Sequence, residues 1–254
     1  MLYATITCII RSTCLGAVLG VALSVTALAN ELPAGFVHLR DIDRTIAQDM
    51  RYATANNFTG RPLPGYDAGD CILARPAAEA LNRVQTDLAV KHLSLKVYDC
   101  YRPTRAVAAM ARWAADREAM PDTRRFYPSL NKERLFALGW IAAHSAHSRG
   151  VAVDLTIVLK GSQQPAFDPA ARYGSCAGPA TARAPDDSLA MGTSFDCFDA
   201  KSYTRSAVGA TERKNRDLLL EAMARHGFVN YKREWWHFSY PAADQRRTYD
   251  VPVR

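Results

Sequence analysis

Alternation of apolar and other positions marks the clearest strand of the chain, at residues 151–158. Every second position there carries a branched apolar side chain, which is the two-residue period of a β-strand. These positions are Val151, Val153, Leu155 and Ile157. A second strand is predicted at Leu93–Asp99, and the run Trp235–Tyr240 has high strand propensity. The pattern therefore predicts short strands that lie far apart along the chain.

Four segments are predicted to be helices: residues 75–92, 103–118, 131–140 and 211–226. Pro76 suits the first turn of the first helix, and Gly227 is a natural end for the last. Residues 160–210 are rich in Gly, Pro, Ser and Asp and are expected to form a long irregular stretch, which in a compact domain usually has a function. Helices and short strands without a βαβ rhythm predict an α+β domain.

Composition places the chain among folded globular proteins. Of its 254 residues, 48% are hydrophobic and 22% are charged. Residues 30–254 are enough for one core of substantial size and are predicted to be a single domain. The formal net charge of +7 is scattered along the chain. Because no basic stripe with interleaved aromatic residues occurs, nucleic-acid binding is not indicated.

The first 29 residues have the pattern of a cleavable export signal. Arg11 supplies a positive charge, Cys14 to Leu28 form an apolar run, and small residues at 27 and 29 suit cleavage after Ala29. The run is shorter than the ~20 residues of a membrane span. The mature protein is therefore predicted to be periplasmic or secreted, with no stable insertion in a membrane.

Export changes the interpretation of the cysteines, because four remain in an oxidising compartment after cleavage. Four cysteines allow three connectivities. Pairing neighbours in sequence favours Cys71 with Cys100 and Cys176 with Cys197, and four free thiols are the alternative. No Cys-x-x-Cys spacing occurs, so a zinc site made from these cysteines is not expected.

Candidate metal chemistry is concentrated in two short segments, Ser145–Asp154 and Glu234–His237. The imidazoles of His147 and His237 and the carboxylate of Asp154 could bind one metal ion. A second carboxylate, that of Glu234, could act as a base. Three protein ligands with an open position are typical of a catalytic zinc site. A single histidine near aromatic residues is more often a packed core residue, but the joint pattern favours a zinc hydrolase.

Strand geometry places one condition on this site. Strict alternation along Trp235–Tyr240 would point Glu234 and His237 to opposite faces of the sheet. For both to reach one metal ion, Glu234 must lie on a turn or bulge that enters the strand. Gly150 lets the backbone turn sharply between His147 and the strand that carries Asp154.

At these residues the chain resembles the zinc D-alanyl-D-alanine dipeptidases of the vancomycin-resistance type. The resemblance runs in family order over nearly all of the mature chain. It is carried by five blocks: Tyr52–Gly60, Tyr98–Pro103, His147–Asp154, Met191–Asp196 and Glu234–His237. The departures are the leader, the cysteines and inserted residues between Asp154 and Met191, which could reshape the mouth of the pocket.

The resemblance implies a role for each matching residue. The implied ligands of one zinc ion per chain are His147, Asp154 and His237. Glu234 is implied as the catalytic base and Arg102 as the cation at the scissile carbonyl. The free amino group of the dipeptide would be held by Tyr52, Ser145 and Asp196. The implied fold is a small antiparallel sheet with flanking helices, the zinc D-Ala-D-Ala peptidase or hedgehog-like fold.

Three function classes follow from this pattern. The first is hydrolysis of the D-Ala-D-Ala dipeptide, with a small dipeptide as the partner. The second is a D,D-carboxypeptidase that trims peptidoglycan stems, and the third is a zinc-containing cell-wall binding module without catalysis. Glu234 argues against the third, because a binding role needs no spare carboxylate beside an open metal position. Tyr52, Ser145 and Asp196 favour the first, because a longer substrate has no ammonium at that position.

Overall fold

The computed structural model describes residues 1–2, 32–117, 123–244 and 246–254, of which Leu32–Arg254 belong to one compact unit. Apart from its first two residues, the predicted leader lies outside the described residues, as does its cleavage point after Ala29. Within the described ranges, no helix is both long and apolar enough to cross a membrane.

In the described residues, seven strands and four α-helices form the framework. The strands are β1 (Phe36–His38), β2 (Ala47–Gln48), β3 (Ile72–Ala74), β4 (Leu93–Asp99), β5 (Ala152–Leu159), β6 (Val229–Asn230) and β7 (His237–Ser239). The helices are α1 (Leu39–Ile42), α2 (Arg75–Ala89), α3 (Thr104–Ala115) and α4 (Ala210–Arg225). Short 3-10 turns lie at Arg51–Ala53, Arg124–Phe126, Lys132–Arg134, His147–Arg149, Ala180–Ala182, Ala200–Ser202 and Pro241–Ala243.

The central sheet has five strands in the order β2-β4-β5-β7-β6, and β1 pairs with β3 in a separate two-stranded sheet. The expectation of an antiparallel sheet is wrong at one edge, because β2 runs parallel to β4. The chain between β2 and β4 passes through β3 and α2. A connection of that length, which includes a helix, is what a parallel pair requires. The sheet is therefore mixed, within a fold of mixed helices and strands.

Three of the four predicted helices and the predicted strands are present with modest shifts at their ends. The first helix has its proline in the first turn, as predicted. The helix predicted over residues 131–140 is wrong, because only Lys132–Arg134 form a short 3-10 turn there. Gly139 then takes a left-handed φ of 75°, and Leu135 and Trp140 are both buried. A helix of ten residues is marginal alone, so burial of these side chains decides the backbone path.

One face of the sheet packs against α2 and α4. The side chains of α2 that face the sheet recur at helical spacing and are fully buried: Leu81, Val84 and Leu88. They meet alternate apolar residues of the two central strands, among them Leu95, Val97, Val153, Leu155 and Ile157. Alternation then turns Asp154 to the opposite face of β5.

The irregular stretch covers part of that opposite face. Residues 160–209, all of which the structure describes, contain no α-helix and no named strand. Lys96 of β4 is 1% exposed and forms ion pairs with Asp186 and Asp187. Arg51 pairs with the same Asp186. A buried ammonium needs such partners, since an unpaired one would be costly, so the stretch closes this face through ion pairs.

Both favoured cysteine pairs are joined in the structure. Cys71 and Cys100 form one disulfide, with Cα atoms 5.3 Å apart. Cys176 and Cys197 form the other, at 5.4 Å. The first bridge ties the end of β4 to the chain that enters β3, and the second ties the irregular stretch to the segment that carries Asp196.

Candidate active site

Three side chains converge as a possible metal centre. Asp154 Oδ1 lies 2.9 Å from His237 Nδ1 and 3.3 Å from His147 Nε2. The two imidazole nitrogens are 3.1 Å apart. These three residues are a group of possible metal ligands among the described residues. The sequence therefore predicted a set of residues that the fold does bring together.

Sheet register supplies two of the three side chains. Asp154 and His237 are direct partners across β5 and β7, and the side chains of such a pair leave the same face a few ångströms apart. His147 arrives from the 3-10 turn before β5. Gly150 ends that turn at φ 69°, and a Cβ there would lie 2.2 Å from the Phe36 ring. A glycine is therefore needed for the chain to bring His147 back over Asp154.

Hydrogen bonding fixes the tautomer of one imidazole. His147 Nδ1 lies 2.7 Å from the Cys100 carbonyl oxygen, and a carbonyl can only accept. The nitrogen therefore carries the proton, which leaves the lone pair of Nε2 free toward Asp154 and His237. A backbone acceptor behind a ligand imidazole is the usual arrangement around a metal ion.

The geometry and charge of this triad fit zinc. Zinc binds histidine nitrogen and carboxylate oxygen at about 2.0–2.1 Å in a tetrahedron, which separates neighbouring ligand atoms by about 3.3 Å. The three separations here lie at or slightly below that value. Burial lowers the pKa of His237, which favours the neutral form that binds metal. Burial alone would raise the pKa of Asp154, but His147 and His237 hold it below its usual range.

Glu234 lies in the turn before β7, as the geometry of the site requires. Its carbonyl oxygen accepts from the backbone N–H of His237 at 3.3 Å, which closes the turn between the two residues. Asn230 donates its amide to the carbonyl oxygens of both residues, each at 3.0 Å. Glu234 Oε2 is thereby held 3.9 Å from His237 Nδ1. Burial, reinforced by Asp154 and Asp196, raises the pKa of Glu234 well above its usual range.

Arg102 is held by a residue that sequence reasoning did not single out. Asp99 is fully buried and accepts from Arg102 Nε at 2.9 Å, and from the hydroxyl of Tyr66 at 2.6 Å. Its Oδ2 also lies 3.3 Å from His147 Nδ1. One carboxylate therefore supports both a candidate metal ligand and the candidate cation. An acidic residue three positions before Arg102 was the available signal, but its pairing depends on the bulge where β4 ends.

The three residues assigned to amino-group recognition also reach this site. Tyr52 donates its hydroxyl to Asp196 Oδ2 at 2.8 Å, and both side chains are buried. The Arg102 guanidinium lies over the Tyr52 ring, 4.9 Å from its centroid. Burial, reinforced by Asp154, raises the pKa of Asp196 well above its usual range. Ser145 accepts from the backbone N–H of His147 at 3.2 Å.

One cavity brings together the metal triad, the candidate base, the candidate cation and the amino-group residues. Its volume is about 290 Å³, near the lower end for small-molecule sites. Its polar wall contains every site residue predicted from the sequence: Tyr52, Arg102, Ser145, His147, Asp154, Asp196, Glu234 and His237. Its apolar wall was not predicted and includes Phe58, Met110, Trp140, Ile141 and Phe198. These residues come from separated segments, so no local pattern in the sequence identifies them.

Asp99→Asn is expected to weaken metal binding by about 10–100-fold, because the variant loses the charge behind His147 and Arg102. Competition with a chromogenic chelator measures this affinity. Asp70→Asn is the matched control, since Asp70 is a buried carboxylate that pairs with His38 and Arg40 and does not line the cavity. Equal metal affinity in the Asp99 and Asp70 variants would contradict the support assigned to Asp99.

Comparison with known proteins places the chain among peptidases. A family model described as D-ala-D-ala dipeptidase matches residues 33–167 and 181–253. The chain is 33% identical to the D-alanyl-D-alanine dipeptidase of Enterococcus faecalis over 80% of its own length and 90% of that protein. It is 32% identical to that of Streptomyces coelicolor, over 86% of this chain and 98% of the relative.

One solved structure is a more distant likeness. It is a variant of the vancomycin-resistance D,D-pentapeptidase VanY with bound Zn(II), 16% identical over 71% of this chain and 80% of that one, at a TM-score of 0.36. That likeness is too weak to bear on fold or activity. The family model spans well over half of the chain, and its matched ranges contain all eight cavity residues predicted from the sequence. The chain belongs to the D-Ala-D-Ala dipeptidase family.

Proposed function

We propose that this protein is a zinc-dependent dipeptidase that hydrolyses D-alanyl-D-alanine to two molecules of D-alanine. The observation that carries the proposal is that the cavity holds two buried carboxylates besides the metal ligand Asp154. Glu234 lies beside the triad, and Asp196 is paired with the Tyr52 hydroxyl. Glu234 suits proton transfer, and Asp196 suits recognition of an ammonium group. A non-catalytic binding module would not need Glu234, the group that suits proton transfer.

When bound by His147, Asp154 and His237, zinc supplies Lewis acidity that lowers the pKa of water and polarises a carbonyl group. Glu234 takes the proton that the attacking water loses. It then passes this proton to the leaving amine nitrogen, so the residue ends each cycle in its starting state. Its surroundings suit the first step, because burial and the nearby carboxylates raise the pKa of Glu234 and so favour proton uptake.

Arg102 stabilises the charge that develops on the carbonyl oxygen of the substrate. A guanidinium that is already fixed by Asp99 costs no reorganisation when this charge appears. Its planar form is also held over the ring of Tyr52. Arg102 therefore binds the transition state more strongly than the neutral amide of the ground state.

Asp196 and Tyr52 recognise the free amino group. The buried carboxylates of the cavity outnumber its one guanidinium, which favours cationic groups: the metal ion and the substrate ammonium. An ammonium beside Asp196 would offset the burial that raises the pKa of this carboxyl group. The apolar wall, with Phe58, Met110 and Phe198, suits the methyl groups of alanine. A peptide acylated at this nitrogen would bring no positive charge to Asp196.

The zinc-loaded protein is expected to release D-alanine from D-Ala-D-Ala and to be far less active on N-acetyl-D-Ala-D-Ala. Asp196→Asn should weaken use of the dipeptide by about 2–5 kcal/mol in kcat/KM, since it leaves a buried ammonium without its counter-charge. The backbone of Asp196 is left-handed, with a φ of 56°. Asparagine tolerates this conformation, so the variant tests charge rather than backbone strain. D-Alanine release from both substrates is measured with both proteins.

The acetylated substrate is the internal control for this experiment. Because it has no ammonium, its slow hydrolysis should change much less in the Asp196 variant. Equal losses on the two substrates would show that Asp196 does not recognise an amino group. A wild-type preference for the acetylated peptide would instead identify a D,D-carboxypeptidase.

A further inference from the structure

Residue Cys176 holds the chain on both sides of Asp196. Before Asp196, the backbone N–H of Ser194 donates to the Cys176 carbonyl oxygen at 3.0 Å. After it, Cys197 is joined to Cys176 by the disulfide. Residue 176 is therefore fixed to the second residue before Asp196 and to the first residue after it. We call this arrangement the Cys176 clamp.

Asp196 needs such support, because its backbone is in the left-handed region. Its φ is 56°, and the other non-glycine residues with positive φ in the described ranges are His92 and Arg246. Neither of those lines the cavity. A left-handed conformation is unfavourable for a residue with a Cβ and persists where the surroundings over-determine it. The conformation turns the Asp196 carboxylate toward Tyr52 and the cavity.

The clamp itself rests on a fixed support. The backbone N–H of Cys176 donates to the Arg125 carbonyl oxygen at 2.9 Å. The next carbonyl oxygen, that of Phe126, accepts from the backbone N–H of Phe198 at 2.7 Å. Both ends of the disulfide are thus tied to one 3-10 turn, at Arg124–Phe126. Phe198 lines the cavity, so the same support positions its apolar wall.

Cys176 also lies in a part of the chain that the family model does not match. The matched ranges end at residue 167 and resume at residue 181. The other end of the bridge, Cys197, lies in the matched part, next to Asp196. The inserted residues therefore contribute a covalent contact to the recognition segment of the cavity.

We propose that the Cys176–Cys197 disulfide is a positioning device that determines how well the enzyme recognises the free amino group of its substrate. It holds Asp196 in the conformation that receives an ammonium. The inference rests on the proposed function and assigns to the bridge a share in substrate specificity. It does not involve the metal ligands, since neither cysteine lines the cavity that contains them.

Removal of the bridge, in the variant Cys176→Ser/Cys197→Ser, is expected to raise KM for D-Ala-D-Ala about ten-fold. Without the clamp, Asp196 leaves its unfavourable conformation for part of the time, and the apparent affinity falls with the competent fraction. Zinc content and the slow rate on N-acetyl-D-Ala-D-Ala should stay within about two-fold of the wild type, because neither depends on recognition of an ammonium. A merely structural bridge would affect both substrates alike.

The decisive comparison repeats the cysteine substitutions in the Asp196→Asn background. Once the counter-charge is gone, its positioning no longer matters, so removing the bridge should change KM for the dipeptide by less than about two-fold. The four proteins form a double-mutant cycle that isolates the coupling between bridge and carboxylate. Additive effects on KM in this cycle would overturn the inference.

Two outcomes separate this inference from the function on which it rests. If Asp196→Asn leaves KM for the dipeptide unchanged, the proposed function is wrong at this residue. If it raises KM but the cysteine variant does not, only the positioning role fails. Should the double variant not fold, the folded wild type is treated with a phosphine reductant, and thiols are mapped by mass spectrometry. Unchanged KM with Cys176 and Cys197 fully reduced would then overturn the inference.

Discussion

Glu234→Gln is expected to lower kcat on D-Ala-D-Ala by about 10²–10⁴-fold while leaving the bound zinc and the fold in place. A well-placed base contributes an effect of this size. Glutamine keeps the shape of the buried side chain but cannot accept the proton that water loses. The turn that holds the residue depends on backbone groups and on Asn230, which the substitution does not alter. Steady-state kinetics measures kcat, and elemental analysis measures the bound zinc.

Glu79→Gln is the matched control for this substitution. Glu79 lies on α2, where its half-exposed side chain faces Arg75 at 3.9 Å, and it does not line the cavity. Its replacement should leave kcat unchanged. Near-normal turnover in the Glu234 variant, with zinc retained, would mean that another group accepts the proton.

His237→Ala is expected to remove most of the bound zinc and, with it, nearly all of the dipeptidase activity. The variant keeps only His147 and Asp154, and two ligands retain a small part of the binding free energy of three. It also leaves Asp154 without one of the imidazoles that lower its pKa. Zinc content after dialysis, measured beside activity, gives the result.

His226→Ala controls for the loss of an imidazole elsewhere in the protein. His226 pairs with Asp87 at 2.9 Å, at the end of α4 and away from the cavity. That variant should keep full zinc and full activity. A His237 variant that binds one equivalent of zinc as tightly as the wild type would exclude this ligand set.

The sequence by itself determined the elements whose cause is local. Apolar and other side chains alternate along residues 151–158, as they do in a pleated β-strand. This period already places Asp154 on one face of the sheet. Pro76 marks the start of α2 because its fixed φ suits the first turn of a helix. Gly227 marks the end of α4 because it adopts a left-handed φ of 88°, which residues with a Cβ disfavour. Glu234 was required to lie in a turn, since strand alternation would separate it from His237. Residue chemistry alone also identified the two imidazoles and the carboxylate as a possible zinc site.

Tertiary structure decided everything that depends on which segments become neighbours. The parallel pairing of β2 with β4 depends on the path of the chain through β3 and α2. A local sequence pattern does not show which strands become neighbours after such a path. Residues 131–140 lose their predicted helix because burying Leu135 and Trp140 outweighs a marginal local preference.

The same holds for the groups that support the site. Asp99 gains its importance from contacts with Tyr66, Arg102 and His147, and Asp196 keeps a left-handed backbone between two attachments to Cys176. Neither property belongs to the residue alone. A side chain's chemical type is fixed by the sequence, but its charge state, its partners and any strain in its backbone arise from what the folded chain packs around it.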